Sequence, residues 1–424
     1  MKYKVFKFGG ASVKDAAAVK NVAEIIKRYP NEKLIVVISA MGKTTNALEK
    51  VVSAFQSNNG ETDILIKEVK DYHYKIMNEL FNENQKNIFE DIDNLFVELA
   101  WASEGEPGDV YDKSYDQIVS MGEIISTKII SHYLDSIGIK NHWIDARGLI
   151  STDDTYREGK VNFEETQSNV TKQIIEKFKE QNSTSVIVPG FIGGTQENYT
   201  TTLGREGSDF TAAILAYCTD AESVTIWKDV SGVLNADPKW FDNTQKIEEL
   251  TYQDAIELTY YGATVIHPKT IKPLQNKNIP LYVKSFIKPE DAGTTIKDSS
   301  KKLSIPSFIF KINQILISIQ PKDFSFIAED RLSNIFNIFH KHNIHINVMQ
   351  LSAINFSVCV DQDERKIPLL MNDLHNEFKV LYNENLELCT IRYFDQSTIE
   401  RVSKGKQILL EQRSRFTVQL VMRA

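Results

Sequence analysis

A buried apolar run near the N-terminus constrains the fold more than any other feature of the chain. Residues 34–39 (Leu-Ile-Val-Val-Ile-Ser) carry no charge and are bounded by polar segments. A run of this length predicts a strand buried on both faces, which is typical of parallel sheets. A short strand over 4–8 ends at Gly9 and Gly10, and valines and isoleucines at helical spacing then predict a helix over 14–28. This strand–helix–strand order predicts an α/β layered domain.

The rest of the chain divides into a continuation of this domain and a different C-terminal pattern. A polar, helical insertion over 61–100 interrupts the alternation of strands and helices, which then resumes. Residues 314–382 follow the order strand, helix, strand, strand, helix, strand, which is that of a ferredoxin-like unit. From 386 to 422 the pattern restarts as strand, short helix, strand, strand, and 308–312 can complete that sheet. We therefore expect an open, mostly parallel sheet sandwiched by helices in 1–299, a ferredoxin-like domain in 300–383 and a shortened second unit in 384–424.

Composition limits the kinds of partner and the cellular compartment that we expect for this chain. Lys and Arg number 49 against 57 Asp and Glu, and the resulting net charge of −8 gives no reason to expect nucleic acid or an anionic membrane as partner. Three scattered cysteines, Cys218, Cys359 and Cys389, build neither a disulfide framework nor a zinc site. No apolar run approaches the roughly 18 residues that span a bilayer, and the first residues lack the apolar core of a signal peptide. We expect a cytoplasmic protein that binds neither nucleic acid nor membrane and holds no metal through its own side chains alone.

The first strand ends in a motif suited to anions. Lys7 precedes Gly9 and Gly10 at the point where the strand leads into a helix. Glycines permit close backbone approach, free N–H groups at a helix start favour anions, and the lysine adds a full charge. One interpretation is a phosphate site, and the other is a tight turn beside a surface lysine. The chain contains neither G-x-x-x-x-G-K-[ST] nor H-R-D with D-F-G, so it is neither a P-loop enzyme nor a protein kinase.

A second glycine-bearing loop, 201–209, carries Arg205 between two glycines. Ser208 or Asp209 can cap the helix that follows, which would explain both residues without a ligand. Capping leaves Arg205 unexplained, and an arginine at a helix start is well placed to hold a carboxylate bidentately. Capping and ligand binding remain compatible interpretations of this loop.

Two further segments allow a functional and a structural interpretation. Glu123 interrupts a largely apolar helix, either as a half-exposed helix residue or as a group aimed at the ammonium of a ligand. Lys228 and Asp229 follow the predicted strand 223–227, and ligands bind at the carboxyl ends of strands in open α/β sheets. The alternative for this loop is a solvated, charged connection.

Taken together, these segments resemble the aspartate kinases of the amino-acid kinase family. The matching stretches occur in family order, and the C-terminal part looks like the ACT regulatory region of that family, so the resemblance covers essentially the whole chain. The stretches are 7–12 (Lys-Phe-Gly-Gly-Ala-Ser), 39–40 (Ser-Ala) with 45–46 (Thr-Asn), 121–123 (Met-Gly-Glu), 202–209 (Thr-Leu-Gly-Arg-Glu-Gly-Ser-Asp), 227–232 (Trp-Lys-Asp-Val-Ser-Gly), 237–238 (Asp-Pro) and 261–268 (Tyr-Gly-Ala-Thr-Val-Ile-His-Pro).

The resemblance implies transfer of phosphate from ATP, with Mg²⁺, to L-aspartate, giving 4-phospho-L-aspartate, the first step of the lysine, threonine and methionine pathway. It assigns Lys7 to the transferring phosphates and Asp209 to the organisation of the phosphoryl-transfer site. The resemblance implies that aspartate is held by Thr45, Glu123, Arg205 and Ser208. The nucleotide contacts that it implies are Lys7, Gly9, Gly10, Lys228, Asp229, Leu234, Lys239, Thr264 and Val265.

The resemblance also implies regulation. We expect a homodimer joined through ACT strands and an amino-acid effector, lysine or threonine, that binds around 343–349. Asn347 stands where lysine-sensitive relatives often have an acid, so lysine should inhibit weakly. Two other functions stay open at this point: another amino-acid kinase, acting on acetylglutamate, glutamate or a nucleotide monophosphate, and a non-catalytic protein that senses amino acids.

Overall fold

The computed structural model describes residues 2–82, 85–106, 108, 110–180, 184–241, 243–263, 266–299, 305–323 and 325–423. These residues form two compact units. The first contains the described residues of 2–233, 248–256 and 266–299, and the second contains those of 234–247, 257–263 and 305–423. The predicted domain boundary between 299 and 300 adjoins residues 300–304, which lie outside the described residues.

An eight-stranded sheet is the centre of the first unit. Its strands are β1 Tyr3–Phe8, β2 Lys33–Ile38, β3 Asn141–Trp143, β4 Ser185–Pro189, β7 Ser223–Lys228, β8 Glu249–Leu250, β9 Leu281–Ser285 and β10 Thr294–Ile296, while β5 Ile192–Gly194 and β6 Thr200–Thr202 form a separate hairpin. The order is β3-β4-β2-β1-β7-β9-β10-β8, and every pair is parallel except β9 with β10. The predicted mostly parallel sheet is confirmed.

Helices cover this sheet, as the apolar strands require. Every residue of β2 after Lys33 is buried, and so is all of β4. Each buried aliphatic side chain of this kind contributes about 1.5–3 kcal/mol, which stabilises strands covered on both faces. The predicted insertion contains α3 and α4. The helices up to residue 276 are α1 Ala16–Lys27, α2 Thr44–Ser57, α3 Thr62–Leu80, α4 Lys86–Ala102, α5 Tyr111–Val119, α6 Met121–Ser136, α7 Phe163–Val170, α8 Glu176–Glu180, α9 Gly207–Thr219, α10 Tyr252–Tyr260 and α11 Pro268–Asn276.

Three central strands end at the same edge of the sheet. In the ladders of β1, Phe8 pairs with Ile38 of β2 on one side and with Trp227 of β7 on the other. Because these strands are parallel, the segments that follow their carboxyl ends emerge close together. Open α/β sheets bind ligands at such an edge.

A six-stranded antiparallel sheet organises the second unit. Its strands are β11 Ser307–Pro321, β12 Ile346–Leu351, β13 Phe356–Asp361, β14 Phe378–Arg392, β15 Gln407–Arg413 and β16 Thr417–Arg423, and its helices are α12 Glu329–Lys341, α13 Lys366–Glu377 and α14 Gln396–Ser403. The strand order β12-β13-β11-β14-β16-β15 begins with the four strands of a ferredoxin-like unit in their usual arrangement. Alternate residues Ile315, Ile317 and Ile319 of β11 join the apolar core that also contains residues of α12 and α13.

The two halves of this sheet share their longest strands. Both β11 and β14 have 15 residues. Pairing of Phe308 with Ile391 brings 308–312 into the second half, as predicted. The predicted boundary between 383 and 384 lies inside β14, because the ladder between β11 and β14 continues past a bulge and serves both halves. In the second half, Ala236 and Phe241 pack into the core with residues of α14.

None of the described helices combines the length and the apolar composition needed to cross a membrane.

Candidate active site

A cavity of about 750 Å³ lies in the first unit, and its lining includes residues at or near the carboxyl ends of β1, β2 and β7. It brings together residues from motifs that are more than 200 positions apart in the sequence. Of the residues named in the sequence analysis, the lining includes Lys7, Thr45, Glu123, Arg205, Ser208, Asp209 and Lys228.

Asp209 and two lysines form the charged centre of this cavity. Lys7 Nζ lies 2.6 Å from Asp209 Oδ1, and Lys228 Nζ lies 4.0 Å from Asp209 Oδ2. The Asp209 side chain is only 3% exposed, in the first turn of α9, where the helix dipole favours a negative charge. Two cations around one carboxylate leave one net positive charge, which suits a phosphate group.

Glu123 places a buried carboxylate in the wall of the cavity. It lies in the first turn of α6, where Oε1 accepts a hydrogen bond from the Ala40 N–H at 3.3 Å and the buried Oε2 has no partner. Burial raises the pKa of this carboxyl from 4.5 to about 8, against the opposing effects of the Ala40 N–H and the charge of Lys7. A buried carboxylate of this kind ionises readily only when a cation arrives, and the ammonium of an amino acid is such a cation.

The loop that carries Arg205 and Ser208 does not use its polar residues for capping. Helix α9 begins at Gly207, its N-cap is Glu206, and no side chain caps it. The expectation that Ser208 or Asp209 caps this helix is therefore wrong, because the helix begins one residue before Ser208. The lining position of Arg205 and Ser208 is consistent with carboxylate binding.

Three residues in the wall have the left-handed backbone conformation that side chains usually avoid. The φ angles are +66° at Arg157, +71° at Phe191 and +53° at Glu206. Each such conformation costs roughly 1–2 kcal/mol, and each is held by a side-chain hydrogen bond. The Phe191 N–H donates to Thr211 Oγ1, the Arg157 N–H donates to Asp116 Oδ2, and Glu206 Oε2 accepts from the His267 N–H. Backbone strain held in this way is common at functional sites.

The glycine pair contributes by close packing. A side chain on Gly10 would place its Cβ 2.8 Å from the carbonyl oxygens of Ala40 and Gly42, so only glycine fits there. A Cβ on Gly9 would lie 3.4 Å from Lys7 Nζ. Neither glycine is among the residues that line the cavity.

The remaining nucleotide residues fall into three groups. Asp229 follows Lys228 directly in the first unit. Leu234 and Lys239 belong to the second unit, where Leu234 bridges to Lys246 and the Lys239 N–H donates to Asp237 Oδ1 at 2.9 Å. Thr264 and Val265 lie outside the described residues.

Several lining residues carry no motif that sequence analysis could recognise. Two lie in α5, three lie in the loop after Thr152, and one directly precedes β5. They are Asp112, Tyr115, Tyr156, Arg157, Glu158 and Phe191. The one available signal was the concentration of charged and aromatic residues in 153–158.

Comparison with known proteins agrees with this architecture. A model of the amino acid kinase family matches residues 2–285. Aspartokinase 1, chloroplastic, of Arabidopsis thaliana is 34% identical over 374 residues, which are 84% of this chain and 63% of that protein. Aspartokinase 2, chloroplastic, of the same organism is 32% identical over 429 residues, covering 96% of this chain and 75% of that protein.

Solved structures extend the comparison to the whole chain. Structures of E. coli aspartokinase III in complex with lysine and aspartate, and with aspartate and ADP, align with TM-scores of 0.83 and 0.82 at 25% and 26% identity. Both alignments cover 99% of this chain and 96% of the other. The chain belongs to the amino acid kinase family, and within that family to the aspartokinases. It spans about 63% of the length of the first curated relative that it matches.

Proposed function

We propose that the protein transfers the γ-phosphoryl group of ATP to the side-chain carboxylate of L-aspartate. The observation that carries the proposal is the convergence of Glu123, Arg205 and the Lys7–Asp209 pair on one cavity. An ammonium site, a carboxylate site and an anion site are the three features that an α-amino dicarboxylate and a nucleotide triphosphate require. The complex of E. coli aspartokinase III with aspartate and ADP supports the same substrates.

In this mechanism a β-carboxylate oxygen of aspartate attacks the γ-phosphorus, a new P–O bond forms, and the bond to the β,γ-bridging oxygen breaks. ADP leaves with that electron pair. Phosphoryl transfer needs position and charge compensation more than covalent participation. Arg205, Ser208 and Thr45 hold the acceptor, Glu123 meets its ammonium, and Lys7 faces the transferred phosphate while Asp209 keeps Lys7 and Lys228 in place.

The residues of the cavity fit Mg²⁺ that enters with the nucleotide. Mg²⁺ is usually held by one or two carboxylates together with phosphates and water, and no cluster of three or more metal-ligating side chains occurs among the described residues. Asp209, beside the lysines, would be the carboxylate that meets it. When bound, Mg²⁺ neutralises charge on the phosphates.

The nucleotide contacts are proposed from the family resemblance. Gly9, Gly10, Lys228 and Asp229 would lie along the phosphates. The adenosine side would involve Leu234, Lys239, Thr264 and Val265. These assignments can be tested by the effect of each substitution on the KM for ATP.

Regulation is also proposed, with 1–299 as the catalytic domain and the C-terminal sheet as an ACT-type region through which two subunits form a homodimer. In the second unit, Asn347 lines a cavity of about 310 Å³ together with Lys311 and Asp361. We place the amino-acid effector there, either lysine or threonine. Lysine is present in one structure of E. coli aspartokinase III.

A reducing, cytoplasmic location completes the proposal. Cys218, Cys359 and Cys389 are buried free thiols, and burial raises the pKa of Cys218 and of Cys359 to about 12. Such thiols stay protonated and unreactive at neutral pH.

The test is formation of an acyl-hydroxamate from ATP, Mg²⁺, hydroxylamine and a panel of acids that contains aspartate, glutamate and acetylglutamate. We expect product with aspartate. Product with another acid of the panel but not with aspartate would overturn the proposed substrate, and no product with any of them would overturn the proposed activity.

A further inference from the structure

We propose that Asp116 is a positioning residue for the acceptor amino acid. It ties the loop 152–160 to strand β6 so that Arg157 and Arg205 face the same cavity. The inference rests on the proposed function, because the effect it predicts is on the binding of aspartate.

The first observation is the burial of Asp116 and the number of donors around it. The residue lies in α5 and is 0% exposed. Its carboxylate accepts hydrogen bonds from the Arg157 N–H at 2.8 Å, the Thr202 N–H at 2.9 Å and the Thr202 hydroxyl at 2.7 Å. Aspartate is among the residues that are almost never fully buried unless they are paired. Three donors aimed at one carboxylate compensate for the loss of its hydration.

The second observation is what these bonds connect. Strand β6 pairs on one side with β5, and on its other side α5 takes the place of a neighbouring strand. Gln117 Nε2 donates to the Thr200 carbonyl at 2.8 Å, and Asp116 accepts from Thr202. The Gly159 N–H donates to the Thr202 carbonyl at 2.9 Å. Thr202 therefore joins Asp116, through its N–H and hydroxyl, to the loop that contains Arg157, through its carbonyl. It lies three residues before Arg205.

The third observation is strain at Arg157. Its φ of +66° is a conformation that an arginine adopts at a cost of roughly 1–2 kcal/mol, and its N–H is the group that Asp116 holds. The guanidinium carbon lies 4.3 Å from the centre of the Tyr115 ring, which fixes the side chain in the wall of the cavity. Without Asp116 the Arg157 N–H loses the hydrogen bond that holds its strained conformation, and the loop is joined to β6 less firmly.

The test compares Asp116→Asn with wild type in the full chain, by steady-state kinetics and by calorimetric titration of aspartate. Asparagine keeps the shape but accepts fewer hydrogen bonds and turns an NH₂ group toward N–H donors. We expect the KM for aspartate to rise about tenfold or more, because small displacements at a binding site cost up to about 10²-fold, while the KM for ATP changes by less than about twofold. Thr202→Val removes only the hydroxyl bond and should raise the KM for aspartate in the same direction by a smaller factor.

Asp153→Asn is the matched control. Asp153 lies in the same loop and accepts from the Thr155 and Lys160 N–H groups, but it is partly exposed and does not line the cavity. We expect it to leave both KM values unchanged. Equal changes in both KM values for Asp116→Asn, or an unchanged KM for aspartate in folded Asp116→Asn, would overturn the inference. If Asp116→Asn does not fold, an unchanged KM in Thr202→Val overturns it instead. The proposed function is tested separately, by the wild-type activity with aspartate.

Discussion

The two units of the molecule each contain a polar cavity, and the two cavities are built in opposite ways. The larger one places full charges against each other and leaves one oxygen of Glu123 without a partner. In the smaller one the Asn347 side chain forms hydrogen bonds with three neighbouring side chains. Its Oδ1 accepts from Lys311 at 2.8 Å, and its Nδ2 donates to Gln314 at 2.9 Å and to Asp361 at 3.1 Å. In the first cavity a ligand supplies the missing hydrogen-bond partner. In the second cavity a ligand has to replace hydrogen bonds that the side chains already form with one another. Large effects of substitution are therefore expected in the first cavity and small ones in the second.

The largest expected effect is on the charged centre. Lys7→Ala and Asp209→Ala should each lower kcat by about 10²–10³, as the loss of one preorganised electrostatic group does. Because the two side chains form one ion pair at 2.6 Å, the double variant should be little worse than the poorer single variant. Steady-state kinetics with saturating aspartate and ATP measures this.

Lys4→Ala is the matched control for Lys7→Ala. Lys4 lies on the same strand and pairs with Glu32 at 2.6 Å, but it does not line the cavity. Its kcat should equal that of wild type. Near wild-type turnover in Lys7→Ala or Asp209→Ala would remove that residue from the proposed mechanism.

The next effect separates the two substrates. Arg205→Lys keeps the charge but loses the planar fork, so the KM for aspartate should rise by about tenfold, and the KM for ATP should change less. Arg28→Lys makes the same change in an exposed ion pair with Glu290 and should alter neither constant. A shift of the ATP constant alone would place Arg205 on the nucleotide side.

A smaller effect follows from the titration of Glu123. Its pKa near 8 means that the free protein holds this proton at neutral pH, so the KM for aspartate should fall by up to about tenfold between pH 7 and pH 9. Folded Glu123 keeps a proton that the unfolded chain releases near 4.5, so its contribution to stability decreases as pH rises from 4.5 to 8.

Glu123→Gln tests both consequences. It should bind aspartate poorly at every pH, and its melting temperature should exceed that of wild type by a few degrees at pH 8 but not at pH 5. Differential scanning calorimetry in the absence of ligands measures the second effect. A wild-type melting temperature that rises between pH 5 and pH 8 relative to Glu123→Gln would contradict the buried, protonated state.

The sequence predicted those parts of the fold that depend on local pattern. The apolar run became β2, and the segments around Lys7, Glu123 and Arg205 line one cavity. The continuity of β14 through both halves of the second sheet could not be predicted, because a strand that serves two halves of a sheet has the same period as one that serves a single half. Asp116 and Arg157 were missed for a related reason. Their roles depend on a contact between positions 41 residues apart, and neither belongs to a recognisable motif.

The smallest expected effect concerns the second cavity, where Asn347 replaces the expected acid. A neutral amide offers a lysine effector no charge, and the nearby carboxylate of Asp361 is already used by Asn347 and by Gln314 at 2.7 Å. Lysine should therefore inhibit weakly, and Asn347→Ala should leave the uninhibited kcat unchanged.

Asn347→Asp would remove two donors and place a second carboxylate beside Asp361, which a side-chain ammonium can compensate. Lysine inhibition should then tighten by about threefold to tenfold, the gain of roughly 1 kcal/mol expected for a partly exposed ion pair, whereas threonine, which has no side-chain ammonium, should show no gain. Titration of activity with both amino acids, alongside sedimentation, tests the site and the proposed dimer together. Strong lysine inhibition that survives Asn347→Ala would remove Asn347 from the effector site, and a monomer at working concentration would refute assembly through the ACT strands.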